Sequence, residues 1–173
     1  IIDENRLLYC QDQEVIFPNN EQIVIDFLNR CVSCTVWGKL YKRELLDGLS
    51  FDSKSIKNED SIFSFDIVKK SDTFARIGLP LYHYSYKKHD SLTSTFSLED
   101  DYNLIIYLDD IYDFVMSKYP QLQILLYKFE FDLLNYMLKE LDHLDTISPI
   151  DRSDKMILDI TNKLRKLNEL GEE

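Results

Sequence analysis

The spacing of apolar residues along the chain predicts five long helices. In each stretch, apolar residues return every three or four positions, which places them on one face of a helix. The predicted helices cover residues 21–30, 58–70, 97–119, 121–144 and 151–170. Pro120 and Pro149 separate the last three, because proline disfavours continuation of a helix. A shorter helix is predicted from Arg43 to Asp47, with Gly48 ending it.

Short runs of β-branched and aromatic residues predict extended segments in the first half of the chain. These segments cover residues 6–10, 14–17, 33–41, 73–77 and 81–86. Extended segments and helices alternate only before residue 96, and the rest is predicted to be helical. The pattern therefore divides the chain into a mixed α/β part, 1–96, and an all-helical part, 97–173.

Composition limits the classes of partner. The 173 residues carry a formal net charge of -11, and 45% of them are hydrophobic. The length and apolar content fit one globular domain or part of one. A nucleic-acid partner is not expected, because the phosphates would need a basic surface. The chain begins at Ile1-Ile2 without methionine, so we expect it to be part of a longer protein.

The cysteines are three in number, which argues against a disulfide framework and for a reducing, cytoplasmic location. Cys31 and Cys34 have C-x-x-C spacing, which would suit a redox or zinc site. None of the three histidines repeats that spacing, so buried or unreactive thiols are the favoured interpretation. Apolar runs such as 104–108 are too short to cross a bilayer.

Two adjacent carboxylates, Glu59 and Asp60, lie where the helix over 58–70 begins. Acidic side chains stabilise a helix N-terminus through the helix dipole, and Asn58 is a good N-cap. The position alone therefore favours a structural role. Proton transfer is the alternative, and the flanking motifs bear on it.

Several motifs follow one another between residues 36 and 93. They are V-W-G-K-L-Y-K-R at 36–43, N-E-D at 58–60 with Phe63 after it, L-P-L-Y-H-Y at 79–84 and D-S-L-T at 90–93. In this order and spacing they resemble the second half of the family 2 glycosyltransferases, which are inverting, nucleotide-sugar-dependent enzymes. The resemblance implies an α/β fold: the C-terminal part of a GT-A (Rossmann-like) domain over 1–96, an incomplete domain, followed by a helical extension of about three helices.

The resemblance implies that Asp60 is the general base for the acceptor hydroxyl, with Glu59 assisting or orienting it. An alcohol is a poor nucleophile until its proton has an acceptor. The helix N-terminus would keep the carboxylate ionised but weakly basic. Partly apolar surroundings, supplied by Trp37 and Phe63, would raise its pKa.

The resemblance also places Trp37 and Lys39 on the acceptor side. An indole could stack on a sugar, and core packing is the alternative for Trp37. For Lys39, the alternative is a solvated side chain.

His83, Lys87 and His89 are the implied donor contacts, since basic residues near this strand reach the donor diphosphate in the family. Ser85 occupies the position where an arginine commonly follows the strand. Lys87 and His89 could replace it, although a solvated loop and a strand histidine are the structural alternatives.

The resembling enzymes also hold a divalent metal, Mg or Mn, through a D-x-D motif in their donor half. The acidic pairs Asp100-Asp101 and Asp109-Asp110 follow the matching segment and are predicted to be a solvated helix face. No metal ligand is therefore assigned to this chain. We expect the metal in the full-length enzyme, and we expect this fragment alone to be inactive.

The resemblance implies a nucleotide-sugar donor and a glycan or lipid-linked acceptor in synthesis of bacterial-type cell-surface polysaccharide. The helical extension is interpreted first as a structural appendage. It could also form a homo-oligomer, bind a protein partner, or dock peripherally on the inner face of the membrane. A different class of function is open as well: a non-catalytic α/β plus helical interaction module.

Overall fold

The computed structural model describes residues 2–3, 6–7, 14–32, 34–51, 59–79, 81–82, 98–145 and 155–171. The chain forms two compact units, Ile1–Phe96 and Ser97–Glu173. The boundary between Phe96 and Ser97 is the one predicted from the sequence pattern.

The first unit combines two helices with two short β-ladders. Its elements are β1 (Ile2–Asp3), β2 (Arg6–Leu7), β3 (Val15–Phe17), α1 (Asn20–Leu28), a 3-10 helix (Arg43–Leu46), α2 (Glu59–Lys70) and β4 (Phe74–Arg76). β1 pairs with β2, and β3 pairs with β4 with Ile16 opposite Ala75; both pairs are antiparallel.

Helices α1 and α2 pack through an aromatic core. The Phe27 and Phe65 ring centroids are 5.2 Å apart, and both side chains are fully buried. Asn19 begins α1, because its side chain accepts a 2.9 Å hydrogen bond from the Gln22 N–H. Burial of two phenyl rings is worth a few kcal/mol, about 1.5–3 each, and fixes the two helices against each other.

A buried amide links the end of α2 to the start of α1. Asn20 Nδ2 donates hydrogen bonds of 2.7 Å to the carbonyl oxygens of Val68 and Ser71. The last carbonyls of a helix have no partner within the helix. Asn20 therefore satisfies the C-terminus of α2 from a distant part of the sequence.

The second unit contains three long helices that pack on one another. They are α3 (Leu98–Lys118), α4 (Gln123–Asp145) and α5 (Lys155–Gly171), with a 3-10 turn at Pro120–Leu122. Each contributes a buried apolar stripe; its members include Leu108, Ile111, Val115, Leu126, Leu134, Met137, Leu141, Ile157, Ile160 and Leu164. Because α4 contacts both α3 and α5, it buries apolar residues on more than one face.

A carboxyl group is buried inside this helical unit. Glu130 on α4 is only 7% exposed. Burial raises its pKa to about 7; Lys163 on α5 opposes this shift and Asp109 on α3 adds to it. Lys163 and Asp109 form an ion pair with each other. The unit therefore holds a carboxyl group that changes protonation near neutral pH.

The described residues are mostly helical, with two small antiparallel ladders in the first unit. The predicted mixture of helices and strands before an all-helical segment is present, but these ladders do not confirm a GT-A sheet. The predicted extended segment over 33–41 is wrong for the residues described there, because a turn at Trp37-Gly38 replaces a strand. Within the described ranges, no helix has both the length and the apolar content needed to cross a membrane.

Candidate functional site

The Asp60 carboxylate lies in the first turn of α2 and is partly exposed. Burial raises the pKa of Asp60, whereas hydrogen bonding with Ser61 and the main chain and the charge of Lys39 lower it. Partial burial has therefore made this carboxylate more basic than an ordinary surface aspartate.

Glu59, the first residue of α2, is also partly exposed. It shares the first turn of the helix with Asp60, and so both carboxylates lie where the helix dipole favours negative charge. The helix-starting role and a role in proton transfer are compatible at this position.

The loop before the 3-10 helix is attached to α2 through Cys34. Ser64 Oγ donates a 2.7 Å hydrogen bond to the main-chain carbonyl of Cys34. Ser64 lies one helical turn after Asp60, so both residues share a face of α2. This bond therefore holds Cys34 beside the Asp60 carboxylate.

A turn then returns the chain toward Cys34. Gly38 has φ of +72°, a conformation that favours glycine. Lys39 follows, and its Nζ donates a hydrogen bond to the carbonyl of Thr35. Burial lowers the pKa of Lys39, while the charges of Cys34 and Asp60 raise it. The half-buried ammonium is thus held near two acidic groups, and the prediction of a solvated lysine is wrong.

The Cys34 thiol belongs to the same group of side chains. Burial raises its pKa, the Asp60 charge raises it further, and Lys39, Arg30 and a hydrogen bond with Ser61 lower it. A raised pKa keeps the sulfur as a thiol, which is a poor nucleophile and a poor metal ligand. This supports the prediction that Cys34 is not a reactive cysteine.

Aromatic side chains surround the start of α2 and the neighbouring loop. Phe63 stacks on Phe51, with ring centroids 4.5 Å apart, and contacts Tyr41 edge-on at 6.3 Å. Trp37 stacks on Tyr82, with centroids 4.9 Å apart and an interplanar angle of 14°. Trp37 is partly exposed, so the predicted alternative of a buried core tryptophan is wrong.

The structure brings some of the predicted site residues into one region. Asp60 and Glu59 begin α2, and the charge of Lys39 lowers the pKa of Asp60. Trp37 lies two residues before Lys39 in the same turn. The predicted donor contacts are outside the described residues: His83, Lys87 and His89.

Sequence reasoning missed two contributors to this region, Ser61 and Tyr82. Hydrogen bonding with Ser61 lowers the pKa of both Asp60 and Cys34, and Tyr82 forms the second ring of the Trp37 stack. Tyr82 lies inside the L-P-L-Y-H-Y motif, which was a usable signal. Nothing in the local sequence indicates that Cys34 and Ser61 meet, because 27 positions separate them.

A resident metal does not fit the described part of this site. Among the described residues, no group of three or more histidine, cysteine, aspartate or glutamate side chains could hold a metal ion. The site therefore offers a carboxylate, an ammonium, hydroxyl and thiol groups, and aromatic faces. In that set, the carboxylate is the group that can accept a proton near neutral pH.

Comparison of the chain with protein-family models, curated proteins and solved structures gives no match. The resemblance to family 2 glycosyltransferases therefore rests on the sequence motifs between residues 36 and 93.

Proposed function

We propose that residues 1–96 form the acceptor side of an inverting family 2 glycosyltransferase with a GT-A fold. The observation that carries this proposal is the state of Asp60. It is a partly exposed carboxylate in the first turn of a helix, and burial raises its pKa. A general base has to meet solvent or substrate and has to be more basic than a free carboxylate to remove a proton effectively. A carboxylate that only stabilised the N-terminus of α2 could remain fully exposed to solvent.

In the proposed reaction, the ionised Asp60 carboxylate takes the proton of an acceptor hydroxyl. The alcohol oxygen attacks the anomeric carbon of the donor sugar from the face opposite the nucleoside diphosphate. As the new C–O bond forms, the bond to the diphosphate breaks and its electron pair leaves with that group. The configuration at the anomeric carbon is therefore inverted. A base fixed at a helix end also orients the hydroxyl, which lowers the entropic part of the barrier.

The Trp37–Tyr82 stack supports a glycan acceptor. Both rings are partly exposed, and each has an apolar face and a polar edge. A sugar has a similar division, with C–H groups on one face and hydroxyls around it, so an aromatic surface suits it. We assign Trp37 as the acceptor platform, with Glu59 orienting the acceptor or the base.

The donor contacts in this proposal are His83, Lys87 and His89, together with residues outside this chain. The divalent metal expected for the family would be held by a D-x-D motif outside this chain, and we assign no step to it here. The proposed enzyme acts in the cytoplasm, at the inner face of the membrane, on cell-surface polysaccharide. Free Cys31 and Cys34 support a reducing compartment.

The test is the substitution Asp60→Asn in the full-length protein, assayed against a panel of nucleotide sugars and glycan acceptors. Loss of a general base lowers transfer about 100- to 10,000-fold. Binding of the nucleotide sugar should remain unchanged. Asp72→Asn is the matched control, because Asp72 is an exposed aspartate of the same unit. Full turnover by the Asp60→Asn enzyme would remove the proposed base.

A second function, a non-catalytic interaction module, is favoured by a different observation. Leu40, Leu79 and Leu81 are strongly exposed in the first unit, and Ile124 and Tyr136 are exposed on α4. Large exposed apolar side chains are typical of protein interfaces when they lie together, and each unit has several of them. Light scattering during size-exclusion chromatography separates the cases: a concentration-dependent dimer supports the module, and a monomer at every concentration counts against self-association.

A further inference from the structure

We infer that the Arg76 guanidinium on β4 is an anion-binding group that takes the diphosphate of the nucleotide-sugar donor. The identity of the anion rests on the proposed function, whereas the anion site itself rests on the placement of Arg76 in the β3–β4 ladder. The inference adds Arg76 to the donor contacts assigned above.

Arg76 lies on the buried face of the β3–β4 ladder. It is paired with Val15, and Phe74 is paired with Phe17. Residues directly opposite each other, and alternate residues along a strand, point to the same side of a sheet. Phe17 is only 3% exposed, so its side of the ladder faces the core. The register therefore directs the Arg76 side chain toward the interior of the first unit.

The other face of the ladder is apolar and exposed. Ile16, opposite Ala75, is 75% exposed, and Ile77, just after β4, is 54% exposed. A half-buried strand usually places its apolar side chains inward and its charged ones in solvent. Here an arginine points inward and isoleucines point outward. Apolar packing therefore does not explain why an arginine occupies position 76.

The guanidinium of Arg76 has buried donors without acceptors. Nε and Nη1 are buried, and neither has a hydrogen-bond partner among the described residues. Together they carry more than half of the N–H groups of the side chain. The chain has 31 acidic residues, yet no described carboxylate bonds to either nitrogen. Because burying charged donors without acceptors is costly, these N–H groups favour an anion that supplies the acceptors.

Phe17 compensates the buried charge only in part. Arg76 Cζ lies 5.8 Å from the centroid of the Phe17 ring, a distance at which a ring face attracts a cation. The ring does not replace the oxygen acceptors that the N–H groups have in water. It does hold the guanidinium in place before an anion arrives, and such preorganisation lowers the cost of binding.

A diphosphate fits both the guanidinium and the proposed reaction. Two neighbouring N–H groups of arginine match two oxygens of a phosphate or a carboxylate. The reaction supplies phosphates, because the donor carries a nucleoside diphosphate that gains negative charge as its bond to the sugar breaks. A fixed cation at that group stabilises the developing charge. Arg76 as a whole is partly exposed, so an anion can reach the guanidinium from the surface.

The chain also connects Arg76 to the proposed acceptor platform. Six positions after Arg76 comes Tyr82, which stacks on Trp37 with ring centroids 4.9 Å apart. Six residues span at most about 22 Å between Cα atoms, even when fully extended. A diphosphate site at Arg76 is therefore compatible with an acceptor held at Trp37.

The experiment measures binding of inorganic pyrophosphate, which represents the donor diphosphate, to the whole 173-residue chain. Isothermal titration calorimetry gives the affinity. Thermal unfolding followed by Trp37 fluorescence gives a second readout from the same unit, because Trp37 is the single tryptophan. Pyrophosphate should raise the unfolding midpoint, since a ligand of the folded chain stabilises it. Arg76→Met should weaken the affinity about 10- to 100-fold and abolish the rise.

Two further variants control the measurement. Arg43→Met changes an exposed arginine of the same unit and should keep the affinity. Arg76→Lys keeps the charge but loses the planar pair of donors, so it should also bind pyrophosphate more weakly. It covers the case in which Arg76→Met does not fold. Sodium chloride at the same ionic strength controls for screening.

Other anions define the class of ligand. Inorganic phosphate should bind more weakly than pyrophosphate, because it offers one phosphate group, and acetate should not protect the chain at the same concentration. Protection by acetate equal to that by pyrophosphate would assign the site to a carboxylate and overturn the inference. Equal binding of phosphate and pyrophosphate would contradict a diphosphate site.

The stability of the variant without any anion separates ligand binding from packing. Arg76→Met removes a buried charge, so it should be at least as stable as the original chain. A large fall in its unfolding midpoint would assign Arg76 to packing against Phe17 and overturn the inference. Equal pyrophosphate affinity in Arg76→Met and the original chain would overturn it as well.

These measurements need no turnover, so they are independent of the test of the proposed base. Binding of pyrophosphate that depends on Arg76, together with full turnover by Asp60→Asn, would keep the anion site and remove the base. Loss of turnover in Asp60→Asn, together with unchanged pyrophosphate binding in Arg76→Met, would remove only the role of Arg76.

Discussion

Ser64 Oγ donates a 2.7 Å hydrogen bond to the main-chain carbonyl of Cys34, 30 positions earlier in the sequence. This bond joins α2 to the loop that carries Trp37 and Lys39. The Ser64 side chain is buried, so water cannot easily replace it as the donor. The bond therefore fixes the loop at the helix turn that follows Asp60.

Ser64→Ala should destabilise the first unit by about 1–2 kcal/mol, because the Cys34 carbonyl loses its donor in a partly buried setting. Urea unfolding followed by Trp37 fluorescence measures this change, since Trp37 is the single tryptophan and lies in that unit. Ser50→Ala is the control at an exposed serine and should change stability by less than about 0.5 kcal/mol. Equal stability of the two variants would mean that the Ser64 bond contributes little.

Asn20→Ala should destabilise the first unit more strongly, by about 2–4 kcal/mol. The side-chain amide donates to two carbonyl oxygens, those of Val68 and Ser71, and both would lose a buried partner. Asn29→Ala is the comparison, because Asn29 Nδ2 donates a single exposed bond of 3.0 Å to Ile25 O. Trp37 fluorescence in urea again gives the values. A smaller effect for Asn20 than for Asn29 would contradict the bridging role.

Gly38→Ala and Gly48→Ala should each cost about 1–2 kcal/mol, since both glycines have positive φ. Only Gly38→Ala should also alter Trp37 emission and the Asp60 titration, because Gly38 forms the turn between Trp37 and Lys39. A Cβ built at Gly38 would meet Tyr82 Cβ at 3.9 Å, an ordinary contact, so strain and not a clash is the cause. If both variants change Trp37 emission equally, the prediction that the Gly38 turn in particular positions Trp37 is wrong.

The stability of the helical unit should fall as pH rises from 4.5 toward 7. Glu130 has its pKa raised from 4.5 to about 7 in the folded chain. Between these values the folded state holds the proton and the unfolded state does not, so rising pH favours unfolding. At about 1.4 kcal/mol per unit, the loss reaches about 3 kcal/mol and is complete above the folded pKa.

The pH dependence of stability can be measured by thermal melting, with circular dichroism as the signal. Circular dichroism reports on this unit because α3, α4 and α5 hold most of the described helical residues. Glu130→Gln should remove most of the slope and should raise the melting temperature above neutral pH. Asp132→Asn is the control at an exposed carboxylate on the same helix and should keep the slope. A Glu130→Gln protein with the original slope would place the proton uptake elsewhere.

Local sequence patterns determined most of the helices. The predicted ranges 58–70 and 121–144 correspond to α2, Glu59–Lys70, and α4, Gln123–Asp145. A helix repeats every 3.6 residues, so an apolar stripe is readable within a short window. Apolar residues in these predicted ranges are buried, Phe27 and Leu164 among them.

The loop over 34–41 was not predictable in this way. Its β-branched and aromatic residues favour a strand, but Gly38 turns the chain and the Cys34 carbonyl finds its donor on α2. Strand propensity describes how residues fit a half-buried sheet, and in the described part of the chain no strand pairs with this loop. Tertiary contacts therefore decided its conformation.

The sequence by itself determined where Asp60 lies, at the start of a helix, because capping and apolar periodicity are local. Only the tertiary structure decided the surroundings of that carboxylate: its partial burial and the Lys39 and Cys34 groups whose charges interact with it. The same is true of Glu130, whose raised pKa depends on helices from three parts of the chain. Burial and charge act between neighbours in space. Residues far apart in the sequence therefore set the pKa of a side chain, whereas the local pattern predicts only its position in a helix.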